Sequence, residues 1–253
     1  MQKIADRTRI FSRTQVFFIC FGALSHLTIF FTVANFFSTG NWGYPRLNWV
    51  IADRAISLGG FQVSSNTLLS YHVLSSYCLY FGLLAQLCLM GIARRTGLTI
   101  RVHRVIGGAL LLVALPAFVV FAATLDLTMA RNPANQLLFG IIPVLVCYGM
   151  LAGFFGIRGG RKIQHIDGMF LAIILLNAAP TVRIVTGILY ASGVPIGWLI
   201  VDQEANPTVA IVRTIIILAI LAASYLSCGR LKQNRIPLYL LAVVVPCAVW
   251  LNT

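Results

Sequence analysis

The sequence predicts an all-α membrane protein, a polytopic helix bundle with seven transmembrane helices. The first observation is composition: 59% of the 253 residues are hydrophobic and only 10% are charged. Soluble domains carry about 25% charged residues, so this chain falls in the membrane class. The second observation is that apolar runs of about 20 residues recur along the chain. That is the length a helix needs to cross a hydrocarbon core of about 30 Å.

The apolar runs define a single integral membrane domain over residues 1–253. The seven predicted spans cover residues 14–37, 68–93, 104–125, 136–157, 168–191, 207–228 and 236–251. The first run is long and has no small-residue cleavage site, so we expect a retained first span and not a removed signal peptide. In the longest connection, residues 38–67, we expect a short interfacial helix.

The charge pattern predicts the orientation. With the N-terminus inside, the inner segments hold fourteen Lys and Arg residues, and the outer segments hold only Arg46, Arg54 and Arg131. The positive-inside rule then places the N-terminus inside and the C-terminus outside. This distribution accounts for the net charge of +13, so we expect no nucleic-acid partner. We expect a multi-pass protein of the bacterial cytoplasmic (inner) membrane, with the lipid bilayer as its first partner.

Two seven-helix classes are excluded by the same features. A retinal protein needs a lysine within a span, and Lys3, Lys162 and Lys232 all fall in predicted inner segments. A G-protein-coupled receptor has its N-terminus outside. The six cysteines fall within apolar runs without Cys-x-x-Cys spacing, so we interpret them as small hydrophobic residues.

Four ionisable residues from four spans lie at similar predicted depths. At a rise of 1.5 Å per residue, their predicted depths lie between about 6 and 12 Å below the outer boundary of the membrane. The four residues are His26, His72, Arg183 and Arg213. Ionisable groups in lipid are candidates for a functional site. The pattern predicts one polar pocket that opens outward, and its arginines favour a small anionic ligand.

The alternative for the two arginines is structural. Long arginine side chains reach toward the membrane surface, where Asp126, Asp202 or Glu204 would pair with them. Matching depth does not by itself make four helices neighbours.

A second pair of histidines lies at the inner face. His103 opens the third span and His165 opens the fifth, so both have one depth. Neutral imidazoles on two helices are suited to hold haem b as axial ligands, to bind a quinone headgroup or to move protons. Contact with lipid phosphates is the alternative. Without His-x-x-His spacing or a carboxylate within a span, we expect no metal apart from haem iron, bound through His72, His103 or His165.

These span-start residues resemble an uncharacterised bacterial family of predicted membrane proteins, a domain of unknown function. Its pattern has a histidine opening the second span, His-Arg-x-x-Gly opening the third, and His-Arg-x-Trp-Met opening a later span that carries a far arginine. The matching residues here, within roughly 68–215, are His72, His103, Arg104, Gly107, His165, Met169, Arg183 and Asn206. Ile166 and Gly168 depart from the pattern, standing where the family has arginine and tryptophan. The resemblance implies no activity and supports only the choice of residues.

Three functions fit these observations. The first is electron transfer through haem b or quinone, because histidine groups occur near both faces of the membrane. The second is a carrier or receptor for a small anionic molecule in the outer pocket. The third is an accessory or assembly subunit of a larger membrane complex. The sequence favours the redox function narrowly and leaves enzymatic activity open.

Overall fold

The computed structural model describes residues 16–17, 19–28, 55–58, 60–91, 97–129, 133–178, 180–181 and 192. These residues are mostly helical. The helices are α1 Ile19–Thr28, α2 Ser65–Gly91, α3 Gly97–Ala109, α4 Leu115–Met129, α5 Pro133–Arg158 and α6 Lys162–Leu176. Two strands, β1 Ala55–Leu58 and β2 Phe61–Ser64, precede α2.

Three helical stretches are long and apolar enough to cross a membrane: Ser70–Leu89, Gly97–Thr124 and Gly140–Arg158. They correspond to the second, third and fourth predicted spans and are consistent with a helical membrane protein. The described residues do not support the count of seven spans or the orientation of the termini. The predicted spans 207–228 and 236–251 lie outside the described residues, as do parts of 14–37 and 168–191.

The described part of the connection before α2 is a hairpin. Strands β1 and β2 pair antiparallel, and Leu58 pairs with Phe61 across a two-residue loop. The expected interfacial helix stays a prediction, because residues 38–54 lie outside the described residues. Gly60 has φ +92°, the left-handed conformation that such tight turns require. The Ser64 hydroxyl then accepts a hydrogen bond from the Thr67 N–H at 3.3 Å and caps the start of α2.

Helices α3 and α4 form one continuous rod through a π-helical turn at Leu110–Ala114. Leu115 donates its N–H to the Leu110 carbonyl, five residues back, just before Pro116. Proline lacks an N–H and its ring crowds the preceding turn, so a wider turn here is the expected adjustment. Leu110 thereby packs against Gly82 of α2.

Helix α6 forms the centre of the described bundle. From Asp167 to Leu176 every residue except Met169 is buried. It packs most closely against α5, which contributes Leu145 and Val146, both fully buried. Helix α2 covers another side with Leu79 and Tyr80, also fully buried. Residues that contact α6 therefore lie inside the protein.

Candidate functional site

The described residues contain two groups of polar side chains inside the helix bundle, at different heights. We call His103 and His165 the histidine pair. We call His26, Tyr80 and Asn177 the central cluster. The pair lies near the ends where α3 and α6 begin, whereas Tyr80 is close to the midpoint of α2, which runs from Ser65 to Gly91.

The rings of the histidine pair lie side by side, although they come from helices far apart in the sequence. Their centroids are 6.1 Å apart and their planes are nearly perpendicular, at 86°. Helices α3 and α6 start at the same end of the bundle, so a histidine early in each helix reaches the same level. The pair predicted from depth is therefore a neighbouring pair in space. Its role as a ligand pair stays a prediction.

The tautomer of His165 follows from its hydrogen bond. Its Nδ1 lies 3.1 Å from the carbonyl oxygen of Gly153 on α5. A carbonyl only accepts, so Nδ1 carries the proton and Nε2 keeps a lone pair. Burial lowers the pKa of the His165 imidazole, and the bond to Gly153 opposes this effect only in part. His165 is therefore neutral at pH 7, the state that binds a metal or accepts a hydrogen bond.

His103 presents an unsatisfied polar atom in the same place. Its Nδ1 is buried and has no hydrogen-bond partner among the described residues. The side chain as a whole is only partly buried. Since burying a polar atom without a partner costs free energy, this nitrogen marks a position where a ligand group would be stabilising.

Glycines on α5 and α6 bring the Gly153 carbonyl within reach of His165. The glycine seam consists of Gly149, Gly153 and Gly156 on α5 and Gly168 on α6. A Cβ atom on Gly168 would meet the backbone of Gly149 and would lie 2.7 Å from the nitrogen of Gly153. The two backbones touch, which small residues allow in membrane bundles. A tryptophan side chain at position 168 would have no room here.

The central cluster is built around an aromatic stack. The ring of His26 lies on the ring of Tyr80 with centroids 3.6 Å apart and planes 10° apart. The Nδ1–H of His26 donates to the Gly22 carbonyl at 2.9 Å, within its own helix. Only 3% of the His26 surface is exposed. The histidine thus lies deep between α1 and α2.

Asn177 approaches the same point from α6. A Cβ atom on Gly22 would lie 2.5 Å from both the Tyr80 hydroxyl and the Asn177 side-chain oxygen. Only a glycine at this position lets the three helices come so close. Among the described residues, neither the Tyr80 hydroxyl nor Asn177 Oδ1 has a hydrogen-bond partner that meets ordinary geometry.

Asn177 lies where the regular hydrogen bonding of α6 loosens. Helix α6 ends at Leu176, and Asn177 keeps right-handed helical angles of φ −75° and ψ −8°. Pro180 has no N–H to donate to the Leu176 carbonyl four residues before it. Thr181 then donates both its backbone N–H, at 3.0 Å, and its hydroxyl, at 2.7 Å, to the Asn177 carbonyl.

The other residues of the predicted outer pocket are not all brought together. His72 stacks on Phe118 of α4 with centroids 5.8 Å apart. It lies eight residues from Tyr80 along α2, which is about 12 Å of helix rise. His26 and His72 therefore occupy different levels. Arg183 and Arg213 lie outside the described residues, and the anionic pocket that they would complete stays a prediction.

Two residues that were not predicted from the sequence belong to the central cluster. Tyr80 and Asn177 are polar groups in the middle of apolar runs, and Asn177 comes three residues before a proline; both signals are visible in the sequence. Asp167 on α6 is 6% exposed, although it lies one residue before the predicted span 168–191. Within the described part of the chain, no three His, Cys, Asp or Glu side chains converge to hold a metal ion.

Gln86 lies on α2 between the two levels. It is 6% exposed, and its Nε2 has no hydrogen-bond partner among the described residues. Its Oε1 lies 3.7 Å from where a Gly107 Cβ would be. Gly107 is one helical turn from His103, so Gln86 is close to the level of the histidine pair.

Comparison with known proteins gives no relative from which a function follows. No protein-family model, no curated protein and no solved structure matches the chain. The resemblance through span-start histidines stays a prediction, and the functional argument depends on the geometry.

Proposed function

We propose that this chain is a redox protein of the bacterial cytoplasmic membrane, which holds haem b between His103 and His165. In this proposal the protein has seven spans, with its N-terminus inside and its C-terminus outside. The histidine pair then lies near the inner face. The observation that carries the proposal is the approach of the two imidazole rings to 6.1 Å.

The separation of the rings fits ligation of one iron. A metal–imidazole bond is about 2 Å long, and the ring centre lies about 1 Å beyond the nitrogen. The observed 6.1 Å between the ring centroids would allow His103 and His165 to hold one iron together. Gly107 lies one turn from His103, and a Cβ there would meet only Gln86 within 4 Å. No side chain therefore projects from α3 at Gly107, beside the histidine pair, and this leaves room for a flat ligand.

The hydrogen bond of His165 also fits a ligand histidine. Metal-ligating histidines usually donate their second ring N–H to a carbonyl or carboxylate, which fixes the ring and its tautomer. His165 makes this bond to Gly153. The ring is thus oriented, neutral and left with Nε2 as its available lone pair.

Basic residues surround this end of the bundle. Arg101, Arg104, Arg158 and Arg161 are all exposed near the starts of α3 and α6 and the end of α5. Guanidinium groups bind carboxylates in a bidentate manner, so they are suited to haem propionates. Bound haem would supply one-electron transfer. The chain itself would hold the iron through two imidazoles and exclude water with the packed α5–α6 interface.

The test is a reduced-minus-oxidised absorbance spectrum of the purified protein. We expect an α-band typical of b-type haem in the wild type and in His72→Gln, and its loss in His103→Gln and in His165→Gln. His72 is the matched control, because it is a histidine of the same bundle far from the pair. A wild type without the band, or a band that survives both pair substitutions, would refute haem binding at this place.

A quinone headgroup is the second candidate for the same pair. The observation in its favour is that Gln86 Nε2, a donor, and His103 Nδ1 are both buried without partners among the described residues. A quinone carbonyl needs such a donor. In this case the spectrum shows no haem band, and organic extraction of the purified protein yields quinone from the wild type but not from His103→Gln. The carrier and accessory-subunit functions stay predictions.

A further inference from the structure

A polar stripe runs along the interior face of α2. Its five members are polar side chains that are buried or half-buried, and at 100° per residue they fall within about 140° of one another around the helix. They are His72, Ser75, Ser76, Tyr80 and Gln86. The opposite face of the same helix carries the exposed residues Leu74, Cys78, Ala85 and Cys88.

Several helices cover the stripe. Phe118 of α4 lies against His72, His26 of α1 lies on Tyr80, and Gly107 of α3 lies beside Gln86. Ser75, Tyr80 and Gln86 are buried, whereas His72 and Ser76 are half-buried. The fully buried Leu79 and Leu83 share the same face of α2.

Two buried polar atoms on or beside the stripe have no hydrogen-bond partner among the described residues, Gln86 Nε2 and Asn177 Oδ1. The Tyr80 hydroxyl lies against the Asn177 amide, its side-chain partner. Leaving a buried polar atom unsatisfied costs about 1–3 kcal/mol. Buried polar groups of this kind are commonly satisfied by internal water, which bridges two to four of them.

The length of the stripe is close to the thickness of a membrane. His72 and Gln86 are 14 residues apart, or about 21 Å of rise. The histidine pair extends the series by roughly one more turn, because Gly107, beside Gln86, is one turn from His103. The total of about 26 Å compares with a hydrocarbon core of about 30 Å.

We propose that this stripe is a water-bridged proton path, which runs along α2 between the level of His72 and the histidine pair. An imidazole, a hydroxyl and a water molecule each accept one proton on one side and release another on the other side. One proton therefore enters and one leaves, and each imidazole or hydroxyl must then turn before it carries the next proton. Ser75 and Ser76 donate to the His72 carbonyl, at 2.9 and 2.7 Å, so each hydroxyl must turn from this carbonyl to water in order to relay a proton.

The gaps in the stripe set the number of water molecules. Tyr80 and Gln86 are six residues apart, about 9 Å by rise, which exceeds a direct hydrogen bond and calls for about two bridging waters. The Gln86 amide would hold such a water without itself transferring a proton. The path does not depend on what the histidine pair binds. A failure of the proposed haem binding would therefore leave the proton path untouched, and the reverse also holds.

The test is proton flux into proteoliposomes that hold a pH-sensitive dye, driven by a potassium diffusion potential. We expect wild-type vesicles to change internal pH several times faster than protein-free vesicles of the same lipid. Tyr80→Phe removes only the hydroxyl, and Gln86→Leu replaces the amide with an apolar group of similar size. Each is expected to lower the protein-dependent rate at least fivefold.

The matched control is Tyr71→Phe. Tyr71 lies on the exposed side of the same helix, 51% exposed, and its ring stacks on Phe121, a contact that phenylalanine keeps. This variant should conduct like the wild type. A single symmetric peak on size exclusion shows that each variant is folded. Wild-type flux equal to that of empty vesicles, or unchanged flux in folded Tyr80→Phe and Gln86→Leu, would overturn the proton path.

Discussion

The imidazole of His165 donates its Nδ1–H to the carbonyl oxygen of Gly153 at 3.1 Å, across the interface between α5 and α6. A backbone carbonyl in a helix is normally covered by the side chains around it. Here it is accessible because Gly153 has no side chain and Gly168 allows the two backbones to touch. The orientation of the candidate ligand therefore depends on the helix packing beside it.

Gly168→Ala should destabilise the protein through this packing. The added Cβ would meet backbone atoms of Gly149 and Gly153, which cannot move aside as a flexible side chain can. Overpacking of this kind costs about 1–3 kcal/mol. At about 2–4 °C per kcal/mol for a chain of this size, we expect the melting temperature in detergent to fall by about 2–12 °C.

Gly108→Ala is the matched control for that measurement. Gly108 is also a helical glycine, but a Cβ there would meet nothing within 4 Å. Alanine is favoured over glycine in a helix by about 1 kcal/mol, so this variant should melt at the wild-type temperature or slightly above it. Equal melting temperatures for the two variants would show that the backbones are not in contact at Gly168.

The titration of His165 predicts a loss of stability in mild acid. Burial holds the pKa of His165 below the usual value of about 6.5. As the pH falls through 6.5, the unfolded chain binds a proton that the folded chain does not yet bind. The stabilisation is therefore complete above about pH 6.5 and is lost progressively below it.

His165→Gln separates this effect from other titrations. We expect its melting temperature to fall less than that of the wild type between pH 7.5 and pH 5, because glutamine does not titrate. The comparison uses haem-free protein, so that only proton binding differs. Parallel melting curves for the two proteins across this range would contradict a depressed pKa.

The orientation predicted from the basic residues is tested by reporter fusions. With seven spans and the N-terminus inside, alkaline phosphatase fused after Thr253 is outside and active, and a green fluorescent protein at the same place is dark. Fusions after Gly160, between α5 and α6, should give the opposite result, since this is a predicted inner segment. If the fusions after Gly160 and after Thr253 gave the same reporter activity, the prediction of three spans between these two positions would be wrong.

The long helices were predictable because their signal is local. The predicted spans 68–93 and 136–157 end within about three residues of α2 and α5, since apolar composition and length suffice to define a membrane helix. The common level of His103 and His165 was predictable for a related reason. Both follow the start of a helix that rises from the same side, and helix geometry then fixes their height.

The remaining features depend on contacts between distant residues. The predicted depth of His26 in the membrane did not show that its ring would stack on Tyr80. The stacking depends on how each helix is rotated about its axis relative to its neighbour, and no short stretch of sequence encodes that rotation. The approach of Gly168 to Gly149 is equally non-local. Pro180 did signal an irregularity, but only the packed structure places Asn177 beside Gly22. The buried Asp167 was missed because it lies one residue before the predicted span.

Gly22→Ala tests the central cluster directly. The added methyl group would collide with the Tyr80 hydroxyl and with both polar atoms of the Asn177 amide. We expect a loss of about 1–3 kcal/mol, seen as a lower melting temperature. Asn177→Ala removes the amide and leaves Pro180 in place.

The double variant Gly22→Ala, Asn177→Ala provides the decisive comparison. If the two residues touch, removal of the amide makes room for the methyl group, and the double variant should melt higher than the sum of the two single effects predicts. Couplings between contacting residues are about 0.5–3 kcal/mol, whereas residues far apart combine additively to within about 0.5 kcal/mol. If the effects of the two substitutions on stability are additive, Gly22 of α1 does not contact Asn177 at the end of α6. His26 and Asn177 would then not belong to one cluster. A positive coupling would place Asn177 against Gly22 of α1, beside Tyr80.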